Sequence, residues 1–379
     1  MRIAIYVGEL DVKGGTHKQV LRLAQYLLDY GHDVLIVTPN YQPGEGYPEF
    51  AKLPILSMPQ QTGGTFLSKF KNRFRPIQMA FQMPEFDIIN LHDNRVVLFG
   101  LIAKLLRRGK RYVWQINDLH PAFQIGAHSA QVRLSPVALL HRLANRLLAQ
   151  MVDSITVNVS KNRERVKELL SRDASVLYCG VDFPDFDFPI QTGPGAFRLM
   201  STGLFFPYRN YDTLVKACAV ANRCLSLPIQ LTIVGDTRYS PDYAASIKAL
   251  ADAEGVALTI LENLSQSELD QQLLQSHAFA FVNVDQSWGL AVFEAAARKK
   301  PVILSKSVGA SELLAGKPGF IMVDPLSHIE VADGILALAN DQAQLSKSAE
   351  QAFGSVEDMS WQVMYCAPAS LLFDQLLEI

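Results

Sequence analysis

The chain has 379 residues, 49% hydrophobic and 19% charged, ordinary globular proportions that exclude a disordered, collagen-like or coiled-coil protein. At roughly 100–200 residues per domain, that length predicts two domains. Lys+Arg 35 against Asp+Glu 37 gives a net charge of −2, which argues against nucleic acid as a partner, but the total hides a split. Residues 1–190 hold 23 basic and 17 acidic side chains (+6), and the remainder 12 and 20 (−8).

Read in chain order, short apolar runs alternate with helical patterns. Arg2–Val7 reads as a strand, followed by a loop with Gly14-Gly15 and a helix over Lys18–Tyr30 that Gly31 ends as a left-handed cap. Strands are predicted at Asp33–Val37, Ile88–Leu91, Arg111–Ile116, Ser154–Val157 and Ser175–Leu177. A turn-rich segment from Phe183 to Gly195 reads as a linker. The alternation resumes with strands at Phe197–Ser201, Ile229–Val234, Ala257–Leu261, Ala278–Val282, Pro301–Ser305 and Gly319–Val323. Helices between them include Tyr211–Leu225, Pro241–Glu254, Ser265–Gln275 and Leu290–Arg298. Strands apolar on both faces and joined by helices predict an α/β chain of two doubly wound parallel sheets. Ligands of such sheets lie outside the carboxyl ends of the strands, so a cleft between two such edges is the expected site.

The four cysteines (Cys179, Cys218, Cys224, Cys366) are scattered without a C-x-x-C pair, so neither a disulfide framework nor a zinc site is expected. The start shows no secretory leader pattern, and the apolar runs are too short to span a bilayer. The expected location is cytoplasmic, with room for peripheral contact at the inner face of the membrane.

The segment from Gln286 through Ser-Trp-Gly289-Leu290 to Glu294, then Pro301-Val-Ile-Leu-Ser305, closely resembles the donor-binding signature of glycosyltransferase family 4. Gly14-Gly15, Val159-Ser160, Tyr178–Asp182, Ser201-Thr202-Gly203, Ile233-Val-Gly235 and Gly319–Pro325 fall where that family's shorter motifs are expected. The resemblance implies the GT-B fold, two Rossmann-like domains facing across a cleft. It further implies an N-terminal acceptor domain over 1–188, a nucleotide-sugar domain over 189–357, and a final helix (about 358–379) returning to the first. The implied activity is a retaining, metal-independent sugar transfer from a nucleotide-diphosphate sugar to a glycan, lipid-linked or small-molecule acceptor. The nucleotide-sugar is a substrate and no cofactor is implied.

What the resemblance assigns to residues has physical sense. Glu294 would accept hydrogen bonds from ribose hydroxyls, each charge-assisted bond contributing roughly 1.5–3 kcal/mol, although a Glu at a helix N-terminus is also ordinary capping chemistry. The N–H groups after Gly289, at Leu290, would face the diphosphate, and Arg209 would neutralise it. Thr202, Gly203 and Gly235 would border the phosphates, as would Gly15, and the backbone near Leu261–Asn263 would hold the base. Gly14, Lys13, His17 and His92 are candidate acceptor contacts. Helix-entry glycines, solvated side chains and a structural histidine are the plain alternatives.

Three departures stand out. Gln286 replaces the signature's first Glu; an amide can hydrogen-bond a hydroxyl but cannot act as base or nucleophile. Leu204 replaces a common Arg, leaving Arg209 as the matched cation. Asn117 stands where a strand-end His is expected, with Asp118 and His120 as nearby substitutes. Two readings follow: a transferase that works by positioning and charge stabilisation, or an inactive relative that binds a nucleotide or a partner. An epimerase or hydrolase on the same fold is a third class, and the absent G-x-G-x-x-G turn argues against a dinucleotide oxidoreductase. Phe66–Arg75, with Phe66, Phe70 and Phe74 among Lys69, Lys71, Arg73 and Arg75, has the profile of an amphipathic surface helix facing anionic lipid or an ordinary helix burying its Phe face. A second basic cluster comprises Lys104, Arg107, Arg108, Lys110 and Arg111.

Overall fold

A computed structural model describes residues 1–58, 74–118, 136–186, 188–191 and 195–379. The chain forms two compact units, one built from Met1–Gly180 and Trp361–Ile379, the other from Val181–Ser360. The divisions expected from the sequence, 188/189 and 357/358, lie eight residues after and three residues before these. In the second unit Val181 donates to the Met359 carbonyl (2.9 Å) and bridges Ser360 in parallel, which draws the turn-rich segment that follows into that unit.

The first unit runs β1 (Arg2–Val7), α1 (Gly15–Asp29), β2 (Asp33–Thr38), β3 (Ile55–Ser57), α2 (Arg75–Gln82), β4 (Phe86–His92), α3 (Val97–Leu105), β5 (Gly109–Ile116), α4 (Pro136–Met151), β6 (Ser154–Val157), α5 (Ser160–Leu170) and β7 (Ser175–Val176). Its seven strands are ordered β3-β2-β1-β4-β5-β6-β7, every pairing parallel. The chain winds outward from β1 in one direction and from β4 in the other. Right-handed crossovers therefore place α2 to α5 on one face and α1 on the other. Gly31 (φ +79°) ends α1 as expected. The core gathers Tyr6, Ile89, Leu91, Phe99, Trp114 and Leu148, with Tyr6 and Phe99 stacked at 3.7 Å. Gly100 permits α3 to lie directly on Leu91 and on Leu148 of α4, since a Cβ there would meet both within 2.9 Å. A π-helical turn (Gln362–Cys366) and a final helix, α13 (Ala367–Glu378), complete this unit, burying Trp361, Tyr365 and Phe373.

The second unit runs β8 (Phe197–Thr202), α6 (Tyr211–Asn222), β9 (Ile229–Val234), α7 (Pro241–Glu254), β10 (Ala257–Leu261), α8 (Gln266–Gln275), β11 (Ala278–Phe281), α9 (Leu290–Ala296), β12 (Val302–Ser305), α10 (Ser311–Leu314), β13 (Phe320–Val323), α11 (His328–Ala339) and α12 (Gln342–Gly354). Its six strands are ordered β10-β9-β8-β11-β12-β13, again all parallel. Ser265 caps α8 with a full capping box to Glu268, satisfying two otherwise orphaned backbone donors. Winding reverses between β1 and β4 in one sheet and between β8 and β11 in the other. Those two switch points are where a doubly wound sheet opens a ligand crevice.

Candidate functional site

In the second unit, the strand ends at the switch point hold the expected donor residues together. β8 leads through Thr202 into Gly203, whose φ of +147° is open only to glycine. The Arg209 guanidinium lies against it, so that a Cβ at Gly203 would sit 2.8 Å from Cζ. Gly235, following β9, is required for a second reason: its Cβ would fall 1.9 Å from the Gly203 carbonyl oxygen. That carbonyl also accepts from the Tyr211 hydroxyl (3.0 Å). The backbone at the end of β10 adjoins this cluster, with the Gly235 amide donating to Leu261 (2.9 Å).

Arg209 is positioned by its surroundings. Its guanidinium lies over the Tyr208 ring (5.2 Å) and reaches the Phe281 ring (6.0 Å). Asn283, with its amide oriented to satisfy both partners, accepts from Nη1 at 2.9 Å and donates to the Arg209 carbonyl at 3.2 Å. Gln286 lies next to Asn283, but with the amide turned to serve Arg209 the Asn283 oxygen faces Gln286 Oε1, another acceptor, so the two are neighbours and not a hydrogen-bonded pair. Arg209 Nε is buried without a partner. The turn carrying Arg209 is clamped by Asn210 (φ +61°), which donates to the carbonyls of Val282 (3.0 Å) and Pro325 (2.6 Å) and accepts from Thr213 (2.7 Å).

Gly289 (φ +100°) caps α9, packed on Val308 and Phe281 where a larger residue has no room. α9 holds only seven residues, so its dipole is weak beside the full charge of Arg209. Glu294 lies half-buried in it. The loop carrying Gln286 is fixed from below by Gly309, which donates to the Gln286 carbonyl (3.0 Å) and whose Cβ would lie 1.7 Å from the Ser287 oxygen. Asn210, Asn283 and Gly309 were not singled out in the sequence. Their importance comes from contacts across 70 residues or more for Asn210 and from backbone proximity for Gly309, which no local pattern carries.

In the first unit, a cavity of about 300 Å³ opens at the β1/β4 switch point, lined by residues that include Glu9, Thr16, His17, His92, Asp93 and Arg95. Of the acceptor candidates, His17 and His92 share it. Gly14 caps α1 beside it, Gly15 faces open space and Lys13 is exposed. His92 is wholly buried with neither ring nitrogen partnered, and burial lowers its pKa to about 3, so it stands as neutral imidazole. Burial, opposed in part by Glu9, also favours neutral His17. Asp93 (φ +72°), passed over in the sequence, is raised to about 7 by burial and then by the neighbouring Asp118 carboxylate. Arg95 is held by Glu9 at 2.7 Å.

Asn117 sits at the end of β5 with its amide fully used. Nδ2 donates to Thr16 (2.9 Å) and Gln19 (2.8 Å), and Oδ1 accepts from Gln115 (3.0 Å). Gln115 in turn accepts from Thr156 (2.6 Å). Asn117 therefore anchors Thr16 at the cavity rim and has no donor left for a substrate. Asp118 is exposed, and His120 lies outside the described residues.

A larger hollow of about 660 Å³, lined by Arg2, Asp87, Lys104, Arg107 and Lys110 among others, lies at the amino ends of the strands, the wrong edge for a doubly wound sheet. Its basic cluster is mostly engaged. Lys104 and Arg111 hold Asp153 (3.2 Å each), Lys110 holds Asp87 (2.7 Å), and Arg108 donates to the Ala80 and Phe81 carbonyls. Most of Phe66–Arg75 lies outside the described residues, but Arg75 is buried, donating to Asn40 (3.0 Å) and to the Met58 carbonyl, so it is not a surface cation. Among the described residues no group of three or more His, Cys, Asp or Glu converges as a metal site, and no helix is long and apolar enough to cross a membrane.

Two family models together match residues 13–353: Glycosyltransferase Family 4 over 13–183 and Glycosyl transferases group 1 over 183–353. A D-inositol 3-phosphate glycosyltransferase of Corynebacterium glutamicum (strain R) is 22% identical, covering 96% of this chain and 92% of that protein. Among solved structures, a sucrose-phosphate synthase from Thermosynechococcus elongatus superposes with a TM-score of 0.79 at 16% identity, over 100% of this chain and 99% of that one. Anabaena HepE, solved in complex with UDP and glucose, gives 0.73 at 16% identity over the same shares.

Proposed function

This chain belongs to the family 4-like glycosyltransferases of the GT-B superfamily, and we propose that it moves a sugar from a nucleotide-diphosphate sugar to a hydroxyl-bearing acceptor, with retention and without a metal ion. The observation that carries this reading is Arg209, a cation laid on Gly203 and held by Asn283 at a sheet switch point. A diphosphate seated there meets a charge that needs no reorganisation as the phosphate leaves. HepE, which shares the fold, was solved with UDP, and this supports a nucleoside diphosphate as the ligand.

In the proposed reaction the bond from the sugar's anomeric carbon to the phosphate oxygen breaks while the acceptor oxygen bonds that carbon on the same face. The acceptor proton passes to the departing phosphate, and Arg209 stabilises the negative charge. Gln286, beside Asn283, positions a sugar hydroxyl and takes no proton. Glu294 accepts from the ribose hydroxyls. The cavity with His17, His92 and Asp93 takes the acceptor, its neutral imidazoles hydrogen-bonding hydroxyls.

The test is a thermal-shift screen against UDP-, GDP- and ADP-sugars, followed by a hydrolysis assay on each hit. Stabilisation with turnover is expected. Stabilisation without turnover would select the inactive nucleotide-binding relative, a reading that Gln286 keeps in view, and no stabilisation by any nucleotide would overturn the site.

A further inference from the structure

The buried amides behind the β1/β4 switch point have a direction, and it is set at their far end. The Thr156 hydroxyl lies 2.6 Å from Gln115 Oε1, an O–H···O distance, so Thr156 donates and the Gln115 oxygen is fixed toward it. Gln115 Nε2 then donates to Asn117 Oδ1 (3.0 Å), which leaves the Asn117 amino group to donate to Thr16 Oγ1 (2.9 Å) and to Gln19 (2.8 Å). Gln115 and Gln19 are wholly buried, and Thr156 and Asn117 nearly so, which gives water little chance to compete for these bonds. Thr16, in the first turn of α1, therefore accepts a hydrogen bond from behind and keeps its own proton. Among the described residues no group accepts that proton, and Thr16 lines the cavity of His17 and His92.

Around that donor the cavity offers groups of both polarities. The neutral imidazole of His92 has one lone pair and one N–H, both without a partner, and His17 Nδ1 and Asp93 Oδ1 are buried and unpartnered as well. A hydroxyl group accepts from Thr16 and donates to an imidazole or carboxyl in the same contact. A phosphate only accepts, and leaves those acceptors empty. Charge points the same way. Among the described lining residues Arg95 is the one full cation, against the carboxyl groups of Glu9 and Asp93, and Arg95 is already held by Glu9. Asp118 adds a further carboxylate beside Asp93. The amino end of α1 supplies a partial charge of about +0.5, too little to balance a phosphate against them.

We propose that Thr16 is a specificity-determining contact of this cavity, a hydrogen-bond donor aimed by Asn117, and that the group it holds is an uncharged polyhydroxyl ring and not a phosphate. The proposal rests on the reading of the cavity as the acceptor's and narrows the acceptor's chemistry there. Thr16 touches the ligand, whereas Asn117, Gln115 and Thr156 are positioning residues that act through it. The amide at 117, where a histidine is expected, thus sets the polarity of its neighbour.

Saturation-transfer difference NMR on the full chain without nucleotide tests it. The neutral probes are methyl α-D-glucopyranoside, methyl α-D-mannopyranoside and myo-inositol, the anionic probe is inorganic phosphate, and the His92 ring resonance, assigned by its loss in His92→Phe, locates the site. At least one neutral probe should bind and shift His92, and phosphate should neither shift it nor displace that probe. Thr16→Val should weaken binding by roughly 3- to 10-fold, and Thr16→Ser, which keeps the hydroxyl, should stay within about twofold of wild type. Asn117→Asp presents only acceptors, so Thr16 turns its proton inward. Binding should then fall as in Thr16→Val although Thr16 is intact, and the double variant should lose no more than either single one. Melting curves establish that each variant is folded, and the half-buried Thr16 pair carries the test by itself if Asn117→Asp does not fold. The proposal is overturned by no binding of any neutral probe, by phosphate binding in its place, by wild-type affinity in Thr16→Val, or by wild-type affinity in a folded Asn117→Asp. A chain that binds a neutral probe but no nucleotide keeps this inference and loses the transferase reading, and nucleotide binding without any neutral probe does the reverse.

Discussion

Replacing Arg209 by alanine probes the proposed donor site most directly, because the effects on ligand and on fold separate. In the unliganded protein the guanidinium makes one good hydrogen bond, to Asn283, and packs on Tyr208 and Phe281, while its buried Nε is unpartnered. Removing it loses roughly 1 kcal/mol of hydrogen bonding but also relieves a desolvated donor costing about 1–3 kcal/mol. Fold stability should therefore rise by about 0–2 kcal/mol, less what the packing on Tyr208 and Phe281 contributes. The bound diphosphate, however, loses a charged hydrogen-bond partner worth roughly 1.5–3 kcal/mol, or about 10- to 150-fold in Kd. The two-charge limit of about 4 kcal/mol at 4 Å sets a ceiling that solvent at this half-buried residue lowers. Calorimetric titration of UDP and GDP into wild type, Arg209→Ala and Arg209→Lys is the assay. Lysine keeps the charge but loses the planar fork and should fall between the other two. Equal affinity in wild type and Arg209→Ala would refute the reasoning, as would an equal loss for the nucleoside without phosphates.

Glu294→Ala should weaken nucleotide binding by roughly 1–3 kcal/mol. That loss should shrink for the 2′,3′-dideoxy nucleotide, because the partner hydroxyls are already gone; an undiminished loss would place Glu294 away from the ribose. Gly235→Ala forces a Cβ to within 1.9 Å of the Gly203 oxygen, so a backbone shift costing about 3 kcal/mol or more should appear as a lower melting temperature; a variant that melts like wild type would show the two strand ends to be slack. His92→Phe removes an unsatisfied buried imidazole and should stabilise the protein by about 1–2 kcal/mol near neutral pH. Because His92 titrates near 3 when folded and about 6.5 when unfolded, the unfolded state binds the extra proton as pH falls. Wild type should therefore lose stability relative to His92→Phe from about pH 6.5 down toward 3. Parallel stability–pH curves for the two proteins would contradict a buried neutral imidazole.

The strands were legible because each is a short Val- and Ile-rich run bounded by Gly, Pro or a helical pattern, and such runs suit a sheet covered on both faces. The glycines of the proposed donor site stand out for a related reason: at Gly203, Gly235 and Gly289 backbone or side chains approach too closely for a Cβ. α4 was not read, and amphipathicity would have misled there, since its strongest leucine face points outward. Asn117 belongs to a hydrogen-bonded chain whose partners lie about 100 residues away, at Thr16 and Gln19, so its character depends on tertiary structure. Asp93 looks like an ordinary loop acid until burial and Asp118 are known. The basic cluster around Lys104–Arg111 shows the converse, because charge counted along a chain cannot see the acids that meet it in space.

The first unit closes only with Trp361–Ile379, so the chain leaves it at Gly180 and returns 180 residues later. On the ribosome this sets an order. The second unit emerges whole and can fold while the first still lacks Trp361, Tyr365 and Phe373 from its interior. α1, against which the returning segment packs, must wait with apolar surface uncovered until that segment emerges. A nascent chain of this protein would thus carry a finished second unit and an unfinished first, and a chaperone's clients would be α1 and the strands it covers.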